Sequence, residues 1–255
     1  MLDCSLVVTV KNRLSHFEQI FPSLVTQTGV IYELVIVDFH SNDKLQTEID
    51  NLIDTFHEII SPDLKNIDYV RLNKDLPFNP RQAKNLGVSP KYMSEYLAFT
   101  DADTYLSMDY LYHHMSKIKR GESFLATRVQ ETRASSSKRI TPIVNYGNVV
   151  VSRNDFLKIG GWDESVEKYG GDDDDLFHRL KLFGLREINP VNEMDAKQYS
   201  ILHGDELRVN EFEVPERCDS EETQKQIYEN RNYFNDNHHF LDEYEDVDIK
   251  KLYEW

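Results

Sequence analysis

Two stretches of this chain gather carboxylates at spacings that chemistry can use. "TDAD" (100–103) sets Asp101 and Asp103 two residues apart at the end of a strand-like run. In extended backbone, residues i and i+2 point the same way, so the pair can converge on one divalent cation, or on a cation and a sugar hydroxyl. The bland alternative is an Asx turn ending a strand. The second stretch, "KYGGDDDDLFHRL" (168–180), puts Gly170 and Gly171 and then four aspartates in front of a helical pattern. Aspartate caps helices well and its charge suits their amino end, which accounts for one or two of the four. The others point in different directions from the first turn, so one can enter a cleft while its neighbours hold loop amides or a substrate. A carboxylate beside other carboxylates has a raised pKa, which suits a general base that takes a hydroxyl proton near neutral pH. The DxDxDG ladder of a calcium loop is absent. His203 follows "QYSIL" at the end of a late strand-like run; a lone histidine is more often structural, but with Asp103 it completes a carboxylate and imidazole set that manganese accepts.

The elements that must position these residues are legible as a βαβ series. "SLVVTV" (5–10) is expected as a first strand, followed by a helix over 13–27. A second strand ends at Asp38 with a polar loop behind it, and a helix covers 44–56. A third strand spans 67–73, a helix from 79 breaks near Gly87 and Pro90, and a fourth strand over 95–103 runs into the two carboxylates. In open α/β sheets ligands collect at the carboxyl ends of the strands. Acids at two such ends, Asp38 and Asp101, therefore suggest a nucleotide-diphosphate site with a bridging metal. Beyond residue 121 the pattern loosens. The polar run 128–141 is expected as a loop and a candidate lid, as is the Gly-rich stretch around Tyr169. A strand follows in "NYGNVVVS", then a short helix capped by Ser152 or Asn154. The helix after the aspartates should bury Leu176, Leu180 and Phe183 and stop at Gly184.

Composition narrows the function classes. The 255 residues suffice for a sizeable core, and 45 acidic against 29 basic residues give a net charge of -16, which would repel a nucleic-acid backbone. No apolar run approaches the roughly 20 residues of a membrane span, and the amino terminus has no leader pattern. A cytoplasmic enzyme, at most peripheral at a membrane, is the expectation. Cys4 and Cys218 form no disulfide or zinc pattern. Residues 211–255 hold fourteen acidic and five basic side chains and are expected as a helical extension.

Taken together, these residues resemble the GT-A-fold, metal-dependent glycosyltransferases of the β-1,4-galactosyltransferase type, related in turn to the broad family 2 glycosyltransferases. The resemblance covers about residues 5–206. "VVTVKNRLSHF" is similar to the family's opening strand and Arg-Asn-Arg turn, with Lys11 where arginine is usual; "PFNPRQAKNLGV" to its Phe-Asn-Arg-Ala-Lys segment with one residue inserted; "TDAD" to its Asp-Val-Asp. "NYGNVVVSRNDFLKIGGWDESVEKYGGDDDDLFHRLKLFGL" follows the family's glycine strand, helix and Trp-Gly-Gly-Glu-Asp-Asp-Asp loop in order and near-equal spacing.

The resemblance implies a mostly parallel central sheet flanked by helices. Its 1–120 half would bind the nucleotide sugar and its 121–206 half the acceptor, with 207–255 as the acidic extension. It implies Asp173 as catalytic base. Thr9, Lys11, Arg13, Asp38, Arg81, Lys84, Asp101, Asp103 and Gly147 would serve the UDP-sugar, and Tyr146, Trp162, Tyr169, Gly171, Asp172 and Asp174 the acceptor. Asp103 and His203 would hold Mn2+, with Mg2+ as the alternative ion. Asp172 replaces a glutamate, Tyr169 a tryptophan and Ser200 a metal-binding methionine. The implied activity is inverting transfer of a hexose, galactose or N-acetylgalactosamine before glucose, from a UDP-sugar to a hydroxyl of a glycan or glycolipid. The rivals are a transferase acting on a nucleic-acid base and a catalytically silent sugar-binding module.

Overall fold

A computed structural model describes residues 3–42, 44–76, 78–88, 94–127, 130–133, 142–143, 148–164, 171–189, 198–201 and 247–254. Twelve strands and six α-helices are described there: β1 (Cys4–Val10), α1 (Leu14–Val25), β2 (Tyr32–Asp38), α2 (Leu45–Phe56), β3 (Leu64–Leu72), α3 (Pro80–Leu86), β4 (Tyr96–Asp101), β5 (Thr104–Leu106), α4 (Tyr110–Met115), β6 (Ser123–Thr127), β7 (Gln130–Arg133), β8 (Pro142–Ile143), β9 (Asn148–Ser152), α5 (Arg153–Lys158), α6 (Asp172–Leu182), β10 (Arg186–Ile188), β11 (Gln198–Ile201) and β12 (Val247–Glu254).

Eight strands form one sheet in the order β10-β6-β9-β4-β1-β2-β3-β12, and β5-β11-β7-β8 form a smaller one. The run β4-β1-β2-β3 is parallel, while β9 and β12 join it antiparallel. β1 and β2 are buried at every position, as parallel strands covered on both faces must be. On one face Leu6, Val8, Leu34 and Ile36 meet Phe17, Ile20 and Leu24 of α1 and Ile49 of α2. On the other, Val7, Val35 and Phe99 meet Leu86 of α3, Phe156 of α5 and Leu176, Phe177 and Leu180 of α6. Helix α3 starts where Asn79 accepts the Arg81 and Gln82 amides with Pro80 in the first turn, and ends at Gly87. A Cβ at Gly87 would lie 2.3 Å from Val7 Cγ1, so glycine is what lets this helix end lie against β1.

The βαβ series and the Ser152 cap follow the sequence expectation. Three details differ. Within the polar run 128–141, residues 130–133 are strand β7. Its partners β11 and β8 supply backbone hydrogen bonds, so pairing in space overrides a turn-rich composition. Phe183 caps α6 and is 38% exposed, and Phe177 takes the core position instead. The acidic extension ends in β12, an edge strand on β3; the part expected as helix, 221–234, lies outside the described residues. Among the described residues no helix is long and apolar enough to cross a membrane.

Candidate active site

The carboxyl ends of β1 and β4 lie side by side, with Thr9 in register with Asp101. The fourth strand stops at Asp101 rather than running to 103. Ala102 and Asp103 form a turn that sends β5 into the small sheet. The two carboxylates therefore do not share one extended face, and each has its own cation. Asp103 accepts from Arg13 Nη1 at 3.1 Å, and Asp101 lies 3.9 Å from Lys84 Nζ. Arg13 is the residue that opens α1, so the pair pins that helix to the turn. The N–H of Ile201, at the end of β11, donates to the Asp103 carbonyl at 2.7 Å. The strand leading toward His203 in sequence is thereby fixed beside Asp103.

Helix α6 brings the second carboxylate group to the same place. Gly171 precedes it at φ +72°, a conformation that glycine adopts without strain, and all four aspartates occupy the first turn. Lys84 Nζ donates to Asp172 at 3.4 Å and lies 3.6 Å from Asp173. One ammonium thus faces three carboxylates from two elements. Burial works against its charge, but Asp173, Asp101 and Asp172 hold it protonated beyond the ordinary lysine range. Asp173 is pushed up to about 8, first by burial and then by the charge of Asp172; its Oδ1 is buried without a hydrogen bond. Asp101 is pushed up to about 6 by burial, with Lys84 opposing. Burial would raise Asp172 too, but Lys84, Arg81 and its backbone amide outweigh it and hold this carboxyl below the ordinary range. Neighbouring aspartates are therefore driven apart, one ionised and one poised to exchange a proton.

Asp174 is exposed beside them. Asp175 turns inward and binds Arg179, whose Nε donates to it at 2.9 Å while Nη1 donates to the Ile159 and Gly161 carbonyls at 3.2 and 2.7 Å. The fourth aspartate is a strut that ties α6 to the Gly160–Gly161 turn. Its i, i+4 spacing to Arg179 was the available signal. The loop that leads on toward α6 is also held by Asn85, which exchanges hydrogen bonds with the Trp162 backbone at 2.9 Å in both directions and donates to Glu164 at 2.7 Å. Nothing in the sequence pattern marked that residue.

Several expected site residues lie deeper than a binding surface. Trp162 is 1% exposed, its ring set edge-on to Phe99 at 5.7 Å and 4.3 Å below Lys84 Nζ. It is the floor of the site and offers no face on which a sugar could stack. Asp38 is 0% exposed and accepts from Tyr69, Arg71 and the Ser41 amide, so it organises the loop behind β2 instead of facing a ligand. Arg81 is buried within electrostatic reach of Asp172. Lys11 is buried too, donating to the Leu76 carbonyl at 3.2 Å. Tyr146, Gly147, Tyr169 and His203 lie outside the described residues.

Among the described residues no three His, Cys, Asp or Glu side chains converge as a metal-binding group. The donor chemistry nevertheless suits a hard divalent ion: Asp101 is a third exposed and Asp103 partly so, and both offer carboxylate oxygens at a strand end.

Residues 5–159 match the profile described as glycosyl transferase family 2, and residues 131–203 that described as the N-terminal domain of galactosyltransferase. No curated protein matches the sequence. Among solved structures, the mannosyltransferase PcManGT from Pyrobaculum calidifontis, in complex with GDP-Man and Mn2+, superposes with a TM-score of 0.61 at 15% identity over 91% of this chain and 73% of its own. A mutant of Drosophila beta1,4galactosyltransferase 7, complexed with manganese, UDP-Gal and xylobiose, gives 0.55 at 15% identity over 95% and 84%. TarS from S. aureus with UDP-GlcNAc gives 0.62 at 12% identity over 89% and 65%. These likenesses establish the GT-A architecture, and the profile spanning more than half of the sequence places the chain in glycosyl transferase family 2.

Proposed function

We propose that this chain transfers a hexose, galactose or N-acetylgalactosamine before glucose, from a UDP-sugar to a hydroxyl of a glycan acceptor, with inversion at the anomeric carbon. The observation that carries this reading is the meeting of Asp101, at the end of β4, with Asp173, at the start of α6, around Lys84. It sets a carboxyl that exchanges a proton near neutral pH beside a strand end of the kind that receives nucleotides. Two of the three superposed enzymes were solved with uridine nucleotide sugars, which favours UDP over GDP.

Asp173 accepts the proton of the acceptor hydroxyl while that oxygen forms its bond to C1. The bond from C1 to the diphosphate breaks on the opposite face, and its electron pair leaves with UDP. Asp172, held ionised by Lys84, accepts hydrogen bonds from sugar hydroxyls, and the exposed Asp174 does the same farther out. Lys11 and Arg13 lie just past the end of β1 and, being buried, favour a departing diphosphate through their charge rather than by direct contact. Asp103, with His203, would hold Mn2+ or Mg2+, which supplies further positive charge for the leaving group.

The reading is tested by following UDP release over a panel of UDP-sugars and simple sugar acceptors, with and without Mn2+, for the native chain and Asp173→Asn. Metal-dependent release that the substitution abolishes is expected. Absence of release with every donor overturns the enzyme reading, and unchanged release by the variant overturns the assignment of the base.

A further inference from the structure

We propose that Lys84 is a positioning residue that couples the two halves of the site, one buried ammonium holding the strand-end Asp101 and the helix-start Asp172 and Asp173 in a fixed relation. Which side receives the nucleotide sugar and which the acceptor rests on the function proposed above; the coupling itself rests on geometry.

Lys84 is built to stay where it is. Its helix, α3, is capped by Asn79, begins with Pro80 and closes on β1 through Gly87. The ammonium lies over the Trp162 ring, whose backbone is gripped by the next residue of α3, Asn85. At 2% exposure it has little water to turn to, so carboxylates must satisfy it. Those carboxylates come from elements far apart in sequence. Asp101 ends β4 and belongs with the β1 and β4 ends that would receive the nucleotide sugar. Asp172 and Asp173 open α6, on the acceptor side. Only Asp172 is hydrogen-bonded; Asp173 and Asp101 stand at 3.6 and 3.9 Å, close enough to feel the charge without saturating it. A change of charge at one partner therefore alters what the ammonium offers the others. An uncharged side chain would leave the three carboxyl groups near one another with no cation between them.

Two double-mutant cycles on the full chain test this, read as urea unfolding at pH 9, where Asp101 and Asp173 both carry their charge in the native chain: Lys84→Met with Asp101→Asn, and Lys84→Met with Asp173→Asn. In both, neutralising the aspartate should be less harmful, or beneficial, once the lysine is gone, with a coupling of about fivefold or more in the unfolding equilibrium constant. Coupling in only one cycle, or in neither, overturns the proposal. If Lys84→Met does not fold, Lys84→Gln takes its place in both cycles. Kinetics supply a readout that a merely structural lysine would not move. Lys84→Met should lose about a hundredfold in kcat while KM for the UDP-sugar changes by less than about fivefold, and Lys84→Arg should recover part of kcat by keeping the charge. Equal kcat for the native and Met forms, measured below the unfolding transition, also overturns it. If the native chain turns over no sugar nucleotide, the proposed function fails, while the unfolding cycles still decide the role of Lys84.

Discussion

Arg13 donates to Asp103 at 3.1 Å across the junction of α1 and the turn after β4, so the carboxylate expected to bind a metal already has a cation of its own. Arg13→Gln removes that competitor. In calorimetry without nucleotide, Mn2+ should bind about tenfold more tightly to the variant, the scale of losing one nearby like charge in a partly exposed site. Unchanged affinity would remove Asp103 from the ligand set.

Because burial and Asp172 push Asp173 up to about 8, this group is protonated, and idle as a base, at lower pH. The pH profile of kcat/KM for UDP release should rise on its acidic limb with a midpoint near that value. Asp173→Asn should lower kcat by about 10²–10⁴ and flatten the limb. A native profile flat from pH 6 to 9 would contradict the assignment.

The pair of Asp175 and Arg179 is buried and spans α6 and the Gly160–Gly161 turn. Arg179→Met leaves a buried carboxylate unpaired and two carbonyls without their donor. The expected cost is about 3–5 kcal/mol in thermal or denaturant unfolding. Asp175→Asn, which keeps an acceptor, should cost less. Equal and small effects would mean that the strut bears no weight.

At the opposite end of the sheet Glu33 is buried, accepting from Ser5 and Asn66, and is raised from 4.5 to about 7, chiefly by burial. A carboxyl with a raised folded pKa binds its proton more tightly in the native state. Stability is therefore lost as pH climbs from about 4.5 to about 7 and stays lower above that. Glu33→Gln should leave Tm near the native value at pH 5 and raise it at pH 8. The gain is on the order of 2–3 kcal/mol, or several degrees for a chain of this size. No gain at pH 8 would show that the carboxylate is compensated there.

Much of the frame was legible because local patterns and tertiary packing agree. Continuous apolar runs gave β1 and β2, Asn79-Pro80 and Gly87 bounded α3, and the aspartates after Gly171 opened α6. β7 was not legible, since nothing in "QETR" speaks for a strand until β11 and β8 lie beside it. Asp38, Arg81 and Trp162, expected to contact ligands, are packed inside, because a sequence does not tell which way a side chain faces relative to the packed layers.

By itself the sequence determined the chemical inventory: carboxylates after a fourth strand and before a late helix, basic residues after the first strand and within α3, and a βαβ order that brings strand ends together. Only the tertiary structure decided how that inventory is divided. Four adjacent aspartates are alike in sequence, but a helical turn aims each differently, and a buried ammonium from α3 reaches two of them and Asp101 as well. Charge separation among like groups depends on distance and burial, which are properties of the packed chain, and so the ionised Asp172, the proton-exchanging Asp173, the exposed Asp174 and the structural Asp175 became distinguishable only once α3, β4 and α6 were set around Lys84.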